Sequence, residues 1–441
     1  MISRHFRDKD EEYLDFELTT TSVGQSINFR FGINTLIMSA ASKHRIDWGD
    51  GSAMEPIDSS GLNHTYGATG TYPARLWTRE KYKNINYILS GSVVLSELDL
   101  SQWEYLYNMF LSSNDVGTFS LPSQYNGPNS LTLTAIGVSG QLSDSDGILD
   151  LTPWSSYSTI FLFSGTITQT MKRIVVNPIN NSSLSGGFRC YSTALEAIGP
   201  SASNLSNRTV DLTGLNMSGD LVLQAGDAAP NAFNEIILPS SAFNTNGIDQ
   251  LQILGASISS IDLSQIRWED ADNTKNISIY QTPVLASIIH PPYGITGSFT
   301  TIRFDGSPLT TMDLSSYELG VNSTLRVNST QITSLTFATS STTTLTLLQG
   351  DNISLSSAPN FTDIPNATEV NGSDIDLRIA SLDATNVNKI LVDLDTNSTS
   401  GFTGRFIDLS GNTAPDGTSG GFDGITAKAN LITKGFTVTT A

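Results

Sequence analysis

The sequence predicts a mainly β protein, with a small β-sandwich first, then a β-solenoid, then a short C-terminal cap. Three observations lead there. Near the start, alternating apolar residues flank an Asp-Gly turn signal, the pattern of a tight hairpin. From about residue 85 onward, Asp-Leu pairs and apolar-x-apolar pairs recur at regular steps. No window of about a dozen residues carries a convincing 3.6-residue apolar stripe, so long helices are not expected.

Composition narrows the function. The chain has 441 residues, and 23 Lys plus Arg against 42 Asp plus Glu leave a net charge of −19. That acidity argues against a protein that wraps nucleic acid or binds an anionic membrane. Hydrophobic residues make up 38%, low for a compact enzyme, yet 19 Phe and 5 Trp are too many for a disordered chain. One cysteine excludes a disulfide scaffold and a cysteine-ligated zinc or iron–sulfur site. The first twelve residues are charged and hold no apolar run of the secretory kind, and no stretch approaches the roughly 20 apolar residues of a membrane span. The expectation is a soluble chain made in a cytosol, without membrane insertion. Asn-x-Ser/Thr triplets, as at Asn276, Asn322 and Asn328, then reflect Ser/Thr/Asn-rich composition rather than glycosylation.

Along the chain, residues 1–24 form an N-terminal segment with a strand expected over 16–21. Ile27, Phe29 and Phe31 alternate onto one face of the next strand. Asp47-Trp48-Gly49-Asp50-Gly51 reads as a tight turn, because glycine tolerates the positive φ such a turn demands. His64-Thr65-Tyr66 follows, then Gly70-Thr71-Tyr72 leading an alternating strand. Pro73 donates no ladder hydrogen bond, so this strand should lie at an edge there. Asp47 and Asp50 suggest a metal site, but turn geometry accounts for both more simply. Trp48 and Tyr72 read as core aromatics before ligand-stacking ones.

The turn, the His-x-Tyr and the Gly-x-Tyr stand in that order over residues 25–80 and together resemble the PKD family of small immunoglobulin-like modules. The resemblance implies a β-sandwich over 25–82 that acts as a spacer or binding domain, with 1–24 as a docking segment.

The repeat region spans 83–405. Asp-Leu pairs begin at Asp99, Asp150, Asp211, Asp262 and Asp313, at steps of 51, 61, 51 and 51; the pairs at Asp376, Asp393 and Asp408 do not keep the step. Half the step is about 25 residues, a typical coil length for a solenoid repeat. Apolar-x-apolar pairs begin at Leu251, Ile277, Ile302, Leu325 and Leu345, with gaps of 26, 25, 23 and 20. A second apolar group follows in three coils: Ile258, Ile261, Leu263; Leu309, Met312, Leu314; Ile332, Leu335, Phe337. The coils from Ile277 and Leu345 fit more loosely, through Leu285 and Ile288, and through Ile353 and Leu355. One coil cannot bury its apolar edge alone, but stacked coils align those positions into a continuous column.

Leu95-x-x-Leu98-x-Leu100, Ile258-x-x-Ile261-x-Leu263 and Leu309-x-x-Met312-x-Leu314 resemble the Leu-x-x-Leu-x-Leu core of leucine-rich repeats. The family's asparagine three residues further on is replaced by Trp103, Ile266 and Tyr317; only the last unit, through Leu409 and Asn412, has it. The resemblance implies a leucine-rich-repeat-like solenoid closed by a cap over 406–441, with a short helix at 424–433 and a last strand at 436–439.

Chemical motifs are sparse. His5, His44, His64 and His290 share no metal-ligand spacing, and no phosphate loop or dinucleotide fingerprint is present. Gly417-Thr418-Ser419-Gly420-Gly421 matches a nucleophile elbow by letter, but no apolar strand precedes it, which favours a flexible loop. Cys190 sits at an apolar-x-apolar position and reads as a small core residue. Asp144-Ser145-Asp146-Gly147 lacks the downstream acidic ligand of a calcium loop. Asp99, Asp262 and Asp313 could align as facing carboxylates for glycoside cleavage, but a structural Asp beside a turn is the simpler reading. No catalytic, cofactor or metal residue is therefore expected.

The irregular Ser/Thr-rich array after a PKD-like module resembles surface-type repeat proteins of bacteria and their phages. That implies a non-enzymatic phage virion structural protein, such as a fibre, decoration or receptor-contacting component. It would be assembled in the host cytoplasm, docked to other virion proteins through residues 1–24, and would contact a host-surface protein or glycan. A homo-oligomer is left open. The alternatives are a bacterial cell-surface adhesin and a polysaccharide-degrading β-solenoid enzyme. Trp154, Trp268 and Tyr293 break the period and are candidate receptor contacts, with packing as the competing role.

Overall fold

The computed structural model describes residues 12–29, 44–57, 62–78, 84–88, 94–101, 108–112, 116–120, 131–136, 141–142, 148–152, 157–163, 173–176, 188–191, 197–199, 209–213, 218–224, 233–239, 247–268, 275–291, 299–314, 316–317, 319–327, 330–337, 352–354, 374–378, 381–398 and 404–441. The protein is mainly β with a β-solenoid in its middle. It divides into two compact units, Met1–Met217 and Ser218–Ala441.

The first unit opens with an antiparallel sheet. Glu12–Thr20 pairs with Gly70–Thr78, which pairs on its other side with His44–Asp47. Alternation separates the faces: Leu14, Phe16, Leu18, Ile46, Ala74 and Leu76 are buried, while Asp15 lies opposite Arg75 on the other face. Pro73 behaves locally as expected. Its strand is interior to the sheet, but the His44–Asp47 ladder stops at Arg75, so no neighbour on that side needs a donor from Pro73. A separate antiparallel pair joins Ser26–Phe29 to Leu62–Thr65. Phe31 lies outside the described residues.

Glu12–Thr20 also pairs antiparallel with Val94–Asp99, and that strand runs parallel to Val116–Ser120. Val94–Asp99 is thus both a neighbour of the opening sheet and the first rung of a parallel ladder. From residue 12 the expected docking segment is a strand of this sheet, and residues 1–11 lie outside the described residues. A further ladder stacks Asn84–Ile88, Asn108–Ser112, Leu131–Ile136, Tyr157–Phe163 and Phe188–Tyr191, all parallel.

In the second unit, Ser218–Gln224, Gly247–Leu254, Lys275–Tyr280, Phe299–Arg303, Leu319–Arg326, Asn352–Ser354, Asp374–Asp376, Phe406–Leu409 and Thr437–Thr440 pair in parallel, each with the next. One row of the register reads Leu251, Ile277, Ile302, Leu325, Ile353, Ile375, Ile407 and Val438. The four strands expected from Leu251, Ile277, Ile302 and Leu325 occupy this row, and their first residues are buried. Each such side chain contributes roughly 1.5–3 kcal/mol by leaving water. The fifth rung is a correction: Ile353, not Leu345, faces Leu325. Rung spacing can stretch because register is set by the apolar pair meeting its neighbour rather than by the number of residues between rungs. The second apolar groups form their own short ladders, pairing Ile261 with Ile288 and Met312 with Leu335.

The Asp-Leu period has a local cause. Asp99, Asp150, Asp211 and Asp262, which keep the step, and Asp408, which does not, each accept, through Oδ1, the backbone N–H two residues on, at 2.8–3.1 Å. The leucine between is fully buried in each case. Aspartate turns the chain out of the strand, and leucine anchors the turn in the column. Asp393 has the same dipeptide but lies in a helix, paired with Lys389, so its failure to keep step is explained.

That helix is the main departure from expectation. Helix α1 (Ala384–Asn397) is fourteen residues long, where no long helix was expected. Its stripe is Val387, Ile390, Leu391 and Leu394, all buried, at helical spacing, and Asp383 caps its first turn by accepting Asn386 N–H. Asn388, fully buried within the stripe, obscures it. Its amide donates to Asp416 Oδ1 (2.7 Å) and Phe422 O (3.1 Å) and accepts from Asp416 N–H (3.0 Å). Helix α2 (Gly424–Thr433) matches its expected range, and the last strand, Thr437–Thr440, is one residue later than expected. The two helices pack together. Gly424 sits so close to α1 that a Cβ there would lie 2.1 Å from Asn388 Oδ1.

Candidate functional site: the outward ladder face

The residues singled out from the sequence are mostly structural. Asp47 Oδ1 accepts Gly49 N–H and Asp50 Oδ1 accepts Ser52 N–H, both at 2.9 Å, so the two carboxylates organise the turn. Trp48 is fully buried and stacks on His64 with ring centroids 4.7 Å apart; Tyr66 meets His64 edge-on and stacks on Tyr72. His64 Nε2 lies 2.9 Å from Asp50 Oδ2. Burial alone would raise the Asp50 carboxyl, but hydrogen bonds from Ser52 and His64 outweigh it and hold the group below its ordinary value. Gly49 has φ +75°, and a Cβ there would lie 2.4 Å from the Pro73 carbonyl oxygen. The Trp-Gly-Asp-Gly turn therefore docks its backbone directly on Pro73.

Trp268 is buried and packs edge-on against Phe299, which meets Tyr317, whose ring meets His290. It fills the interior and does not project as a receptor contact. Trp154, Tyr293, His5, Trp103, Leu345, Leu355 and the Asp144–Gly147 stretch lie outside the described residues. Cys190 occupies the ladder position next to Leu162. Ser419 starts a 3-10 turn and donates its hydroxyl to Asp416, whose carboxylate also accepts Ser419 and Thr418 N–H. The expected flexible loop is thus a hydrogen-bonded turn. Asp262 and Asp313 have Ile289 and Thr336 as ladder neighbours, so these aspartates do not face each other across one pairing. Among the described residues, no group of three His, Cys, Asp or Glu is arranged to hold a metal ion. No described helix is long and apolar enough to cross a membrane.

The position of the missing asparagine is informative. Ile266, Tyr317 and Asn412 each donate their N–H to the leucine three residues back, so they are equivalent in the fold. Asn412 also bonds the carbonyls of Leu377 and Leu409 and the N–H of Leu382 through its side chain. Ile266 and Tyr317 fill the same place by apolar burial, and the Tyr317 hydroxyl shares a 2.9 Å hydrogen bond with His290 Nδ1. Burial lowers the His290 pKa against the opposing pull of Asp313.

Among the described residues, two polar surfaces remain. On the opening sheet, Asp15, Glu17, Asp47, Glu97 and Asp99 line a cavity of about 530 Å³ with Arg75 and Trp77. Arg75 is already engaged: its guanidinium forms a two-pronged pair with Asp15 and lies over the Tyr13 ring. On the second unit, the outward ladder face was not legible as a set, because its members are polar residues scattered between apolar ones. Gln252, Ser278, Arg303 and Arg326 form one row. Gln250 reaches Gln252, whose amide donates to the Tyr280 hydroxyl at 3.1 Å. The Arg303 guanidinium lies 3.8 Å from the Tyr280 ring centroid. Asp305 Oδ2 accepts Arg303 Nε–H at 2.6 Å and forms an ion pair with Arg326 Nη2 at 3.2 Å.

No protein-family model, curated protein or solved structure matches this chain.

Proposed function

We propose that this protein is a non-enzymatic structural component of a phage particle that displays an extended binding surface, with a PKD-like β-sandwich ahead of a leucine-rich-repeat-like array. The observation that carries the reading is the parallel ladder of the second unit. Its inner rows are aliphatic and its outer row is polar, which is how repeat proteins build broad contact surfaces. The engagement of the periodic aspartates in turns adds support, since those carboxylates hold the backbone. The opening module supplies a spacer whose side chains are locked by stacking, and the N-terminal segment ahead of it docks to other virion proteins.

Immunogold electron microscopy with antibodies raised against the purified chain tests this. The expected result is label on phage particles. Label confined to the envelope of uninfected cells would favour the adhesin. Shortening of host capsule by the purified protein would favour the enzyme.

A further inference from the structure

We infer that Arg303 and Arg326 form an anion site on the outward ladder face that takes the carboxylate of an acidic polysaccharide. The inference rests on the display reading above and names its ligand class.

The two arginines are neighbours in register on adjacent strands. Asp305 braces both from one carboxylate oxygen. Arg303 is further fixed by its guanidinium carbon lying over the Tyr280 ring, and Tyr280 is held in turn by Gln252. Each guanidinium has five N–H donors. Asp305 accepts Arg303 Nε–H and forms an ion pair with Arg326, and the side chains stay 28% exposed in Arg303 and 42% in Arg326, which leaves guanidinium donors open to a ligand. Planar forks fixed in this way match a carboxylate in two-pronged geometry, and holding them in place beforehand lowers the ordering cost of binding.

The surroundings decide the ligand. Within this cluster two guanidinium groups meet one carboxylate, on a chain of net charge −19. A polymer with dense charge, such as a polyphosphate, would be repelled by the rest of the molecule. A polysaccharide with well-separated carboxylates would not. The flanking surface suits it: Gln250, Gln252, Asn276, Ser278 and Thr301 present neutral donors and acceptors beside an aromatic ring, across strands spaced about 4.8 Å apart.

The test is biolayer interferometry of the full chain against immobilised polygalacturonate, alginate and hyaluronan, with dextran, dextran sulfate and polyphosphate as comparisons. The expected result is retention by at least one carboxylated polymer, weakened by salt. R326Q and R303Q should each weaken it at least tenfold with unchanged circular dichroism, and R326K should recover it only in part. R75Q, in the other unit, should leave binding as it was. Retention on dextran equal to that on the carboxylated polymers, preference for dextran sulfate or polyphosphate, absence of binding to all three carboxylated polymers, or full binding by both glutamine variants would each overturn the site. New reducing ends released from a bound polymer would instead overturn the display reading itself.

Discussion

The opening sheet and the C-terminal ladder are both β, but different kinds of side chain hold them. In the opening sheet a few large groups carry specific jobs: Trp48, His64, Tyr66 and Tyr72 stack in sequence, Trp48 Nε1 donates to Glu55, and the Tyr66 hydroxyl donates to the Trp48 carbonyl. In the ladder the work is shared among many similar aliphatic residues, each touching the rung before and the rung after. The first arrangement depends on identity and the second on position. The number of residues between rungs can therefore vary, as between Leu325 and Ile353, whereas Gly49 has no room even for a methyl group.

The sharpest way to break this contrast is Trp48→Ala. Truncating a buried tryptophan costs about 3–5 kcal/mol, and here it also removes the stacking partner of His64. Amide exchange should accelerate across Glu12–Thr20 and Gly70–Thr78 together, with the second unit unchanged. Ile302→Ala should cost about 2–5 kcal/mol. Its effect should stay local to Lys275–Tyr280 and Leu319–Arg326, because stability in a stacked array is set largely by nearest neighbours. Equal spread of both effects through the chain would erase the distinction.

Acid separates the regions more gently. His290 has a folded pKa below its ordinary 6.5, so the folded state resists protonation. The stability this gives is present above 6.5 and falls as pH drops below it towards the folded value. Asp50 has a folded pKa below 3.8, so its contribution holds to lower pH and is lost as pH falls below 3.8 through the folded value. Urea midpoints followed by amide exchange should decline for the second unit between pH 7 and 5, while the opening sheet holds until below pH 4. Parallel decline in both units over the higher range would contradict these assignments.

The difference in construction also explains what was legible in the sequence. The aromatic turn motif and the apolar rungs are signals of residue type, and both were readable: Trp48 is buried, and Leu251, Ile277, Ile302 and Leu325 share one row. The cap helix at Gly424–Thr433 was readable as well. Helix α1 was not, because Asn388 interrupts its stripe with a polar side chain whose partners, Asp416 and Phe422, are far along the chain. The rung at Ile353 was missed because Leu345 fits the count and only the three-dimensional register excludes it. The outward face was missed for a further reason. Gln252, Tyr280, Arg303 and Arg326 become a set only once the strands are stacked.

Stacking in register is therefore the claim to test first. The single native cysteine, Cys190, allows a clean cross-linking experiment once it is replaced by serine. Thr301 and Thr324 are direct ladder partners, whereas Thr301 and Arg326 are offset by two residues. Partners on adjacent strands fall within the roughly 4.4–6.8 Å Cα separation that a disulfide spans, and the offset pair falls beyond it. Under mild oxidation T301C with T324C should close rapidly, and T301C with R326C should stay reduced. Closure of the offset pair at the same rate, or of neither, would contradict the ladder.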